Sequence, residues 1–411
     1  MKSVAEVEKI ILDLVQPLTD TELVGLSDAT NRILAEDISS NLDYPYWDNS
    51  AMDGYAVRFN DVKNASGENP VTLQIVEEIP AGYSPTQEIK TGETARIFTG
   101  AITPNGADTI VMQENTQRQD NDDRVQILQA PSSGEFIRRQ GSFYQAGDVL
   151  LSQGSRINPP DMAILATAQC LQVPVVRKPK IAILSTGDEL ITPEETLQKG
   201  QIIDSNQYLL KSFLQQANVE IVSLGIVKDN FETLKEAIAG AISEADWVLS
   251  TGGVSVGEYD YVDRVLQELG GQIRINGVKM KPGKPLTVAT FTGNKLYFGI
   301  PGNPVSTMVT CWRLLQTAID KLSGNKNYSL PQMVKGISQS NLKSAGTRES
   351  YIWGHAKLVA GYYQFTSALG SSSSGNLINL AGVNALAKIP IGTKTIEAEE
   401  EVEILLVNKN G

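Results

Sequence analysis

The side chains able to do chemistry gather around Thr251-Gly-Gly-Val-Ser-Val-Gly-Glu-Tyr-Asp260. Glycines at 252, 253 and 257 let a backbone take positive φ and approach a ligand without a Cβ in the way. The N–H groups of such a turn, with the Ser255 hydroxyl, cradle an anion. Asp260 is expected to open a helix over 259–269, at the end where the macrodipole favours a negative group or a phosphate. These glycines alone fit a tight strand-to-helix connection that binds nothing just as well. The neighbouring segments shift the balance towards a ligand. Thr186-Gly-Asp-Glu189 is another glycine turn, carrying two carboxylates, and Lys228-Asp229 adds an acid. Met280-Lys-Pro-Gly-Lys-Pro285 sets two ammonium groups beside a glycine, and Ile300-Pro-Gly-Asn-Pro304 is a further turn. Glycine amides, lysines and acids at one edge describe a site for a phosphorylated small molecule.

Each of these turns follows an apolar run that reads as a buried strand: 181–185, 221–227 and 245–250. Gln201-Ile-Ile-Asp-Ser-Asn206 precedes a helix whose Leu209, Leu210, Phe213 and Leu214 recur at helical spacing, and a last helix is expected over 305–322. Strands alternating with helices, every strand ending in chemistry, describe a doubly wound α/β domain with its site at the carboxyl edge of the sheet.

The flanks differ from this centre. Ser3-Val-Ala-Glu6 matches a capping box and opens an amphipathic helix. Residues 57–131 alternate apolar and polar with frequent turn signals, which describes an all-β segment, and short strands return after 324. The whole is multidomain α/β plus β. A mixed, elongated N-terminal domain (1–43 and 135–177) carries an inserted β domain (44–134), followed by the α/β domain (178–324) and a small C-terminal β domain (325–411).

The 411 residues carry a formal charge of −12, which argues against a nucleic-acid or membrane-surface partner. Cys170 and Cys311 have no metal-ligand spacing and read as buried, reduced thiols in helical surroundings. A single histidine, His355, builds neither a zinc site nor a serine triad. No apolar run has the length of a membrane span and Met1–Ile10 has no signal-peptide pattern, so the expected location is cytoplasmic.

Six motifs taken together, D-N-S-A-M-D-G-Y-A, I-F-T-G-A, S-T-G-D-E-L, T-G-G-V-S-V-G-E-Y-D-Y, K-P-G-K-P and P-G-N-P-V-S, resemble those of the molybdopterin molybdenumtransferases, the bacterial relatives of the gephyrin E domain. The resemblance implies insertion of molybdate into adenylylated molybdopterin with Mg2+ and release of AMP. It implies a homodimer whose cleft lies between the α/β domain of one subunit and the β domain of the other, with the molybdopterin adenylyltransferase as a possible partner. Asp53, Glu189, Asp229 and Asp260 then match catalytic positions. Asp188, Glu189, Asp229 and Asp260 supply hard oxygens, of which Mg2+ takes one or two beside substrate oxygens and water. Thr99, Ser185, Thr186, Gly187, Gly252, Gly253, Ser255, Lys279, Lys281, Lys284, Pro301, Asn303 and Ser374 are the expected binding residues, with Asp53 and Ser374 reaching the site from β-rich segments. The alternatives on the same scaffold are a molybdopterin adenylyltransferase and a non-catalytic assembly paralogue.

The chain departs from the family pattern at three positions. Phe143 replaces the acid of R-R-x-G-x-D, and Trp353 replaces the second arginine of R-x-x-F-x-R. Gly277 stands where a lysine precedes K-P-G-K-P, and Lys279 is expected to take over if the segment is a strand.

Overall fold

Strands buried on both faces need apolar side chains throughout, and the runs that end in glycine or carboxylate meet that need. In the computed structural model, which describes residues 1–118, 122–253, 261–368 and 373–407, they form the parallel part of a six-stranded sheet. Its order is Glu220–Val227, Lys180–Thr186, Trp247–Thr251, Lys295–Ile300, Thr287–Phe291, Gln272–Asn276, with the first four parallel and the last two antiparallel. Helices cover both faces. On one side Phe231–Glu244 and Val262–Glu268 bury Leu234, Ile238, Val265 and Leu266 against Ala182, Leu184 and Val248. On the other, Asn206–Gln216 and the helix starting at Pro304 pack Leu210, Leu214, Val305 and Val309 against Ile183, Leu249 and Phe298.

The chain divides into two units, and this sheet belongs to the one made of Met1–Glu36, Gln153–Pro159 and Gln172–Gly411. The first helix, Val4–Leu14, starts with the expected capping box at Ser3 and Glu6 and buries Val4, Val7 and Ile11 in the same core. A second six-stranded sheet follows from residue 333. It runs Met280–Lys281, Glu349–Val359, Tyr362–Ser367, Met333–Ser338, Glu401–Leu406, Ala385–Ile389, and it closes on itself because Ala385–Ile389 also pairs with Glu349–Val359. Met280–Lys281 lies between strands of the first sheet in sequence yet pairs in parallel with Glu349 and Ser350.

The helix expected over 305–322 is continuous but not uniform. Cys311–Leu315 winds as a π-helix between Pro304–Thr310 and Gln316–Leu322. A π turn repositions the side chains that follow it. Here Arg313, almost wholly buried, meets the Glu8 carboxylate and donates from Nε to the Tyr351 hydroxyl at 2.7 Å. Burial drives the Tyr351 phenol far above its ordinary range, and it donates to Glu349 at 2.5 Å. Cys311 is buried in this segment, where desolvation also raises its thiol. Cys170, expected within a helix, instead follows the end of Pro159–Thr167 and is half-buried.

The other unit, Asp37–Ser152 with Pro160–Leu171, holds a third six-stranded sheet. Its order is Thr109–Met112, Gly54–Val57, Glu93–Ile97, Val71–Ile79, Arg124–Ile127, Thr116–Gln117. Its two faces bury Tyr55, Val57, Leu73 and Val125 on one side, and Ile79, Ile89, Ile97 and Ile110 on the other. Phe143 stacks at an angle on Tyr44, with ring centroids 5.6 Å apart. Phe143 is otherwise 62% exposed, at a position where the sequence pattern favours an acid.

Truncating one partner of the Arg313–Glu8 pair leaves the other charge poorly compensated, so Arg313→Met is expected to lower stability by about 3 kcal/mol. The double variant Glu8→Leu with Arg313→Met should recover most of that loss in a urea unfolding series. A double variant no more stable than the single one would show that the pair is not what holds these elements.

Candidate active site

The parallel register aligns the strand ends. Thr186 lies beside Val227, and Ser185 beside Thr251, which in turn lies beside Ile300. Everything that follows these strands therefore emerges at one edge. Gly252 follows Thr251 with φ +86, and a Cβ there would come within 2.3 Å of the Thr186 carbonyl oxygen. Only glycine fits both the conformation and the space. The turn Pro301-Gly-Asn303 runs alongside it, held by Asn206 Nδ2 donating to Gly302 O at 2.7 Å and Thr307 Oγ1 donating to Pro301 O at 2.6 Å.

A cleft of about 1300 Å3 opens above this edge. Thr186, Glu189, Gly252, Gly253, Pro301 and Asn303 line it from the α/β sheet, and Lys281 and Lys284 from the K-P-G-K-P segment. Lys343, Arg348, Tyr351, Trp353 and Ser374 line it from the C-terminal β region. Ser374 is tied to the α/β sheet of its own chain, where its carbonyl accepts from Val305 N–H at 3.3 Å and its hydroxyl from Asn303 Nδ2 at 3.4 Å. These contacts place Ser374 beside the α/β edge of its own chain.

Of the expected acids Glu189 lines the cleft, whereas Asp188 and Asp229 lie outside its lining. Asp229 is half-buried, and desolvation, followed by the Asp188 and Glu189 charges, raises its carboxyl above the ordinary range. Thr186 Oγ1, donating to Asp229 Oδ1 at 3.2 Å, partly offsets this. Asp188 Oδ1 accepts from the Asp229 N–H at 3.2 Å, so the two acids are directly joined. Carboxylate oxygens are the hard donors Mg2+ takes. Among the described residues, however, no three of His, Cys, Asp or Glu are grouped so as to hold a metal ion. An ion here would therefore use one or two protein oxygens plus those of a ligand. Across the cleft Lys281, Lys284, Lys343 and Arg348 supply the positive wall that the net charge of −12 conceals.

Several expected residues lie elsewhere. Ser185 is fully buried, and its hydroxyl accepts from Thr251 Oγ1 at 3.0 Å and Gln207 Nε2 at 3.3 Å, so it braces the strand ends from below. Gly187 is likewise outside the lining. Lys279 is exposed away from the cleft: Gly277, at φ +81, turns the chain, and Lys279 N–H donates to Lys2 O at 2.9 Å. The segment is no strand, so Lys279 does not stand in for a lysine at 277. A side chain at 277 would also press on Met1, because its Cβ would stand 3.2 Å from the Met1 Cγ. Trp353, only 5 % exposed, joins the core with Val383 and Leu386, where an arginine would need a buried partner. Ser255 and Asp260 lie outside the described residues, as does most of the helix start expected at 259.

Asp53 and Thr99 meet in the other unit. Thr99 donates from its backbone N–H and its hydroxyl to Asp53 Oδ1, both at 2.7 Å, and these bonds hold the exposed Asp53 carboxyl below its ordinary range. Sequence reasoning does not single out Arg348, Lys343 or Asp204 as binding candidates. Arg348 is visible as the first arginine of R-x-x-F-x-R; Lys343 carries no motif signal.

Residues 2–168 match the family description "MoeA N-terminal region (domain I and II)", 182–321 "Probable molybdopterin binding domain" and 335–407 "MoeA C-terminal region (domain IV)". A molybdopterin molybdenumtransferase of a Nostoc species is 52% identical, covering 98% of this chain and 94% of its own. The chain belongs to the molybdopterin molybdenumtransferase family. The Haemophilus influenzae molybdopterin molybdenumtransferase is 39% identical over 80% of this chain and 79% of its own. Among solved structures, the molybdopterin biosynthesis moeA protein of Pyrococcus horikoshii is 31% identical, with a TM-score of 0.83 over 99% of this chain and 100% of that one. Family membership thus extends over both units and all three six-stranded sheets.

A raised folded pKa means that ionised Asp229 costs stability at neutral pH, and that the cost fades as pH falls through the folded pKa. Asp229→Asn keeps the acceptor for Thr186 and removes the charge. We expect it to stabilise the ligand-free protein at pH 7 by no more than about 1 kcal/mol, since solvent screens a half-exposed group. Thermal unfolding at pH 7 and again at acid pH checks this, and an equal gain at both would refute it.

Proposed function

We propose that this chain acts in molybdenum cofactor biosynthesis, inserting molybdate into adenylylated molybdopterin with release of AMP. The observation that carries the reading is the cleft itself, lined by the Gly252–Gly253 turn at the strand ends, by Glu189 and by four cations, Lys281, Lys284, Lys343 and Arg348. A substrate with a phosphoanhydride needs that combination. The N–H groups of the Gly252–Gly253 turn and the ammonium groups of Lys281 and Lys284 bind its phosphates and hold them in line. Arg348 and Ser374 face the incoming oxyanion. Asp229, with Glu189 or Asp188, would hold Mg2+, which polarises the phosphoryl oxygen when bound. Attack of a water oxygen on one phosphorus of the anhydride forms a new P–O bond as the bridging P–O bond breaks, so that AMP and the phosphorylated pterin product separate. The wall formed by Tyr351 and Trp353 excludes water from one side of the cleft.

The same reading makes the working form a cytoplasmic homodimer that receives its substrate from the molybdopterin adenylyltransferase. It keeps the domain limits 1–43 with 135–177, 44–134, 178–324 and 325–411. Asp53 and Thr99 are assigned to the reaction by family resemblance, and Ser255 and Asp260 likewise. An adenylyltransferase is not favoured, because the full-length relatives carry the flanking β regions as well. Among the described residues no helix is long and apolar enough to cross a membrane.

Incubation with adenylylated molybdopterin should release AMP only when molybdate and a divalent cation are both present. Release that continues unchanged in excess chelator would remove the metal from the account. In the proposed dimer, co-expressed Asp53→Ala and Asp229→Ala chains should recover part of the activity that each lacks alone. Heterodimers no better than the average of the two parents would place every essential residue of a site on one chain.

A further inference from the structure

Asp204 is 3 % exposed, and only one of its carboxylate oxygens is used by the fold. Oδ1 accepts from the N–H groups of Asn206 at 3.1 Å and Gln207 at 3.3 Å, at the start of the Asn206–Gln216 helix. Oδ2 is buried with no hydrogen-bond partner. A buried acceptor is costly to leave unmade, so one held in place by its twin oxygen is a position prepared for a donor from outside the chain. Asp204 stands on the wall shared by the cleft and a side chamber of about 490 Å3. Tyr208, Leu209, Met308, Trp312 and Leu380 also line that space, and Leu377, like Ile203 and Ser205, borders both. An open, largely apolar hollow with aromatic and thioether walls and an unpaired carboxylate on its lining accommodates a flat heteroaromatic ring that carries N–H donors.

The geometry points to this chamber as the subsite for the pterin ring, with Asp204 Oδ2 as the specificity-determining acceptor for its N–H edge. The assignment rests on adenylylated molybdopterin being the substrate, which brings two rings to the protein. They differ at the edge a carboxylate would meet. The 2-amino group of a pterin sits next to a ring N–H, so two donors face the same way. The 6-amino group of adenine lies between ring nitrogens whose lone pairs repel a carboxylate. The chamber adjoins the glycine and lysine turns, so a ring seated there leaves the phosphates of the same molecule in the cleft.

Titration with free pterin, 2-amino-4-oxopteridine, followed by its own fluorescence, needs no molybdate, cation or turnover. Its outcome is therefore separable from the AMP-release reading. The full-length protein should bind pterin below millimolar concentration and adenosine at least tenfold more weakly. Asp204→Asn keeps an acceptor for the helix N–H groups and turns the vacant acceptor into a donor, so pterin affinity should fall at least tenfold with thermal unfolding unchanged. Leu377→Trp narrows the mouth without touching Asp204 and should weaken pterin to a similar degree; if Asp204→Asn does not fold, this variant decides. Pterin binding unaltered by the substitutions, absent up to millimolar concentration, or replaced by Asp204-dependent adenosine binding would overturn the assignment.

Discussion

Two residues of the α/β region, Met280 and Lys281, leave their own sheet and pair in parallel with Glu349 and Ser350 of the C-terminal sheet. The rest of the cleft depends on that pairing. It carries Lys281 and Lys284 to a place facing the glycine turns, and it ties the two walls by backbone hydrogen bonds rather than by mobile side chains. Arg348 reinforces the junction by donating to Met280 O at 3.2 Å, so the same residue that lines the cleft also fixes its lysine segment. Behind it, the buried Arg313 links Glu8 of the first helix to Tyr351 of the C-terminal sheet. Three stretches remote in sequence are thereby locked around one cavity.

The charges inside that frame work against the free protein. Asp188 and Glu189 act against ionised Asp229 beside the cleft, Lys281 and Lys284 both line it, and Asp204 holds a buried oxygen without a donor. Each of these arrangements is relieved by a ligand of suitable charge. Local disagreement of this sort, set in a well-packed surround, is characteristic of a binding site rather than of a structural joint.

The α/β core is readable in the sequence because strands buried on both faces must be continuous apolar runs, and because such strands end in the turns that carry function. Ala385–Ile389 and the Ser3 cap are equally plain. Where expectation and structure part, the cause is backbone geometry that residue types do not announce. Gly277 reverses the chain and sends Lys279 outward, although alternation along a strand would have pointed it in. Ser185, the last residue of the strand expected over 181–185 and matched to a binding position by resemblance, is fully buried inside the sheet. The transfer of Met280–Lys281 to another sheet is a long-range pairing with no local signal. Ser374 sits in a serine-rich loop that composition assigns to linker, yet hydrogen bonds dock it on the Asn303–Val305 turn.

The central claim is that one chain's α/β edge and C-terminal sheet together form a seat for a tetrahedral oxyanion. Crystals grown with tungstate, which has the size and charge of molybdate, and measured at the tungsten absorption edge test it most directly. The account predicts an anomalous peak in the cleft among Lys281, Lys284, Arg348 and Ser374 of a single chain, lost in Lys281→Ala with Arg348→Ala. A protein saturated with tungstate that shows its peak only outside this cleft, or the same peak after both substitutions, would contradict it.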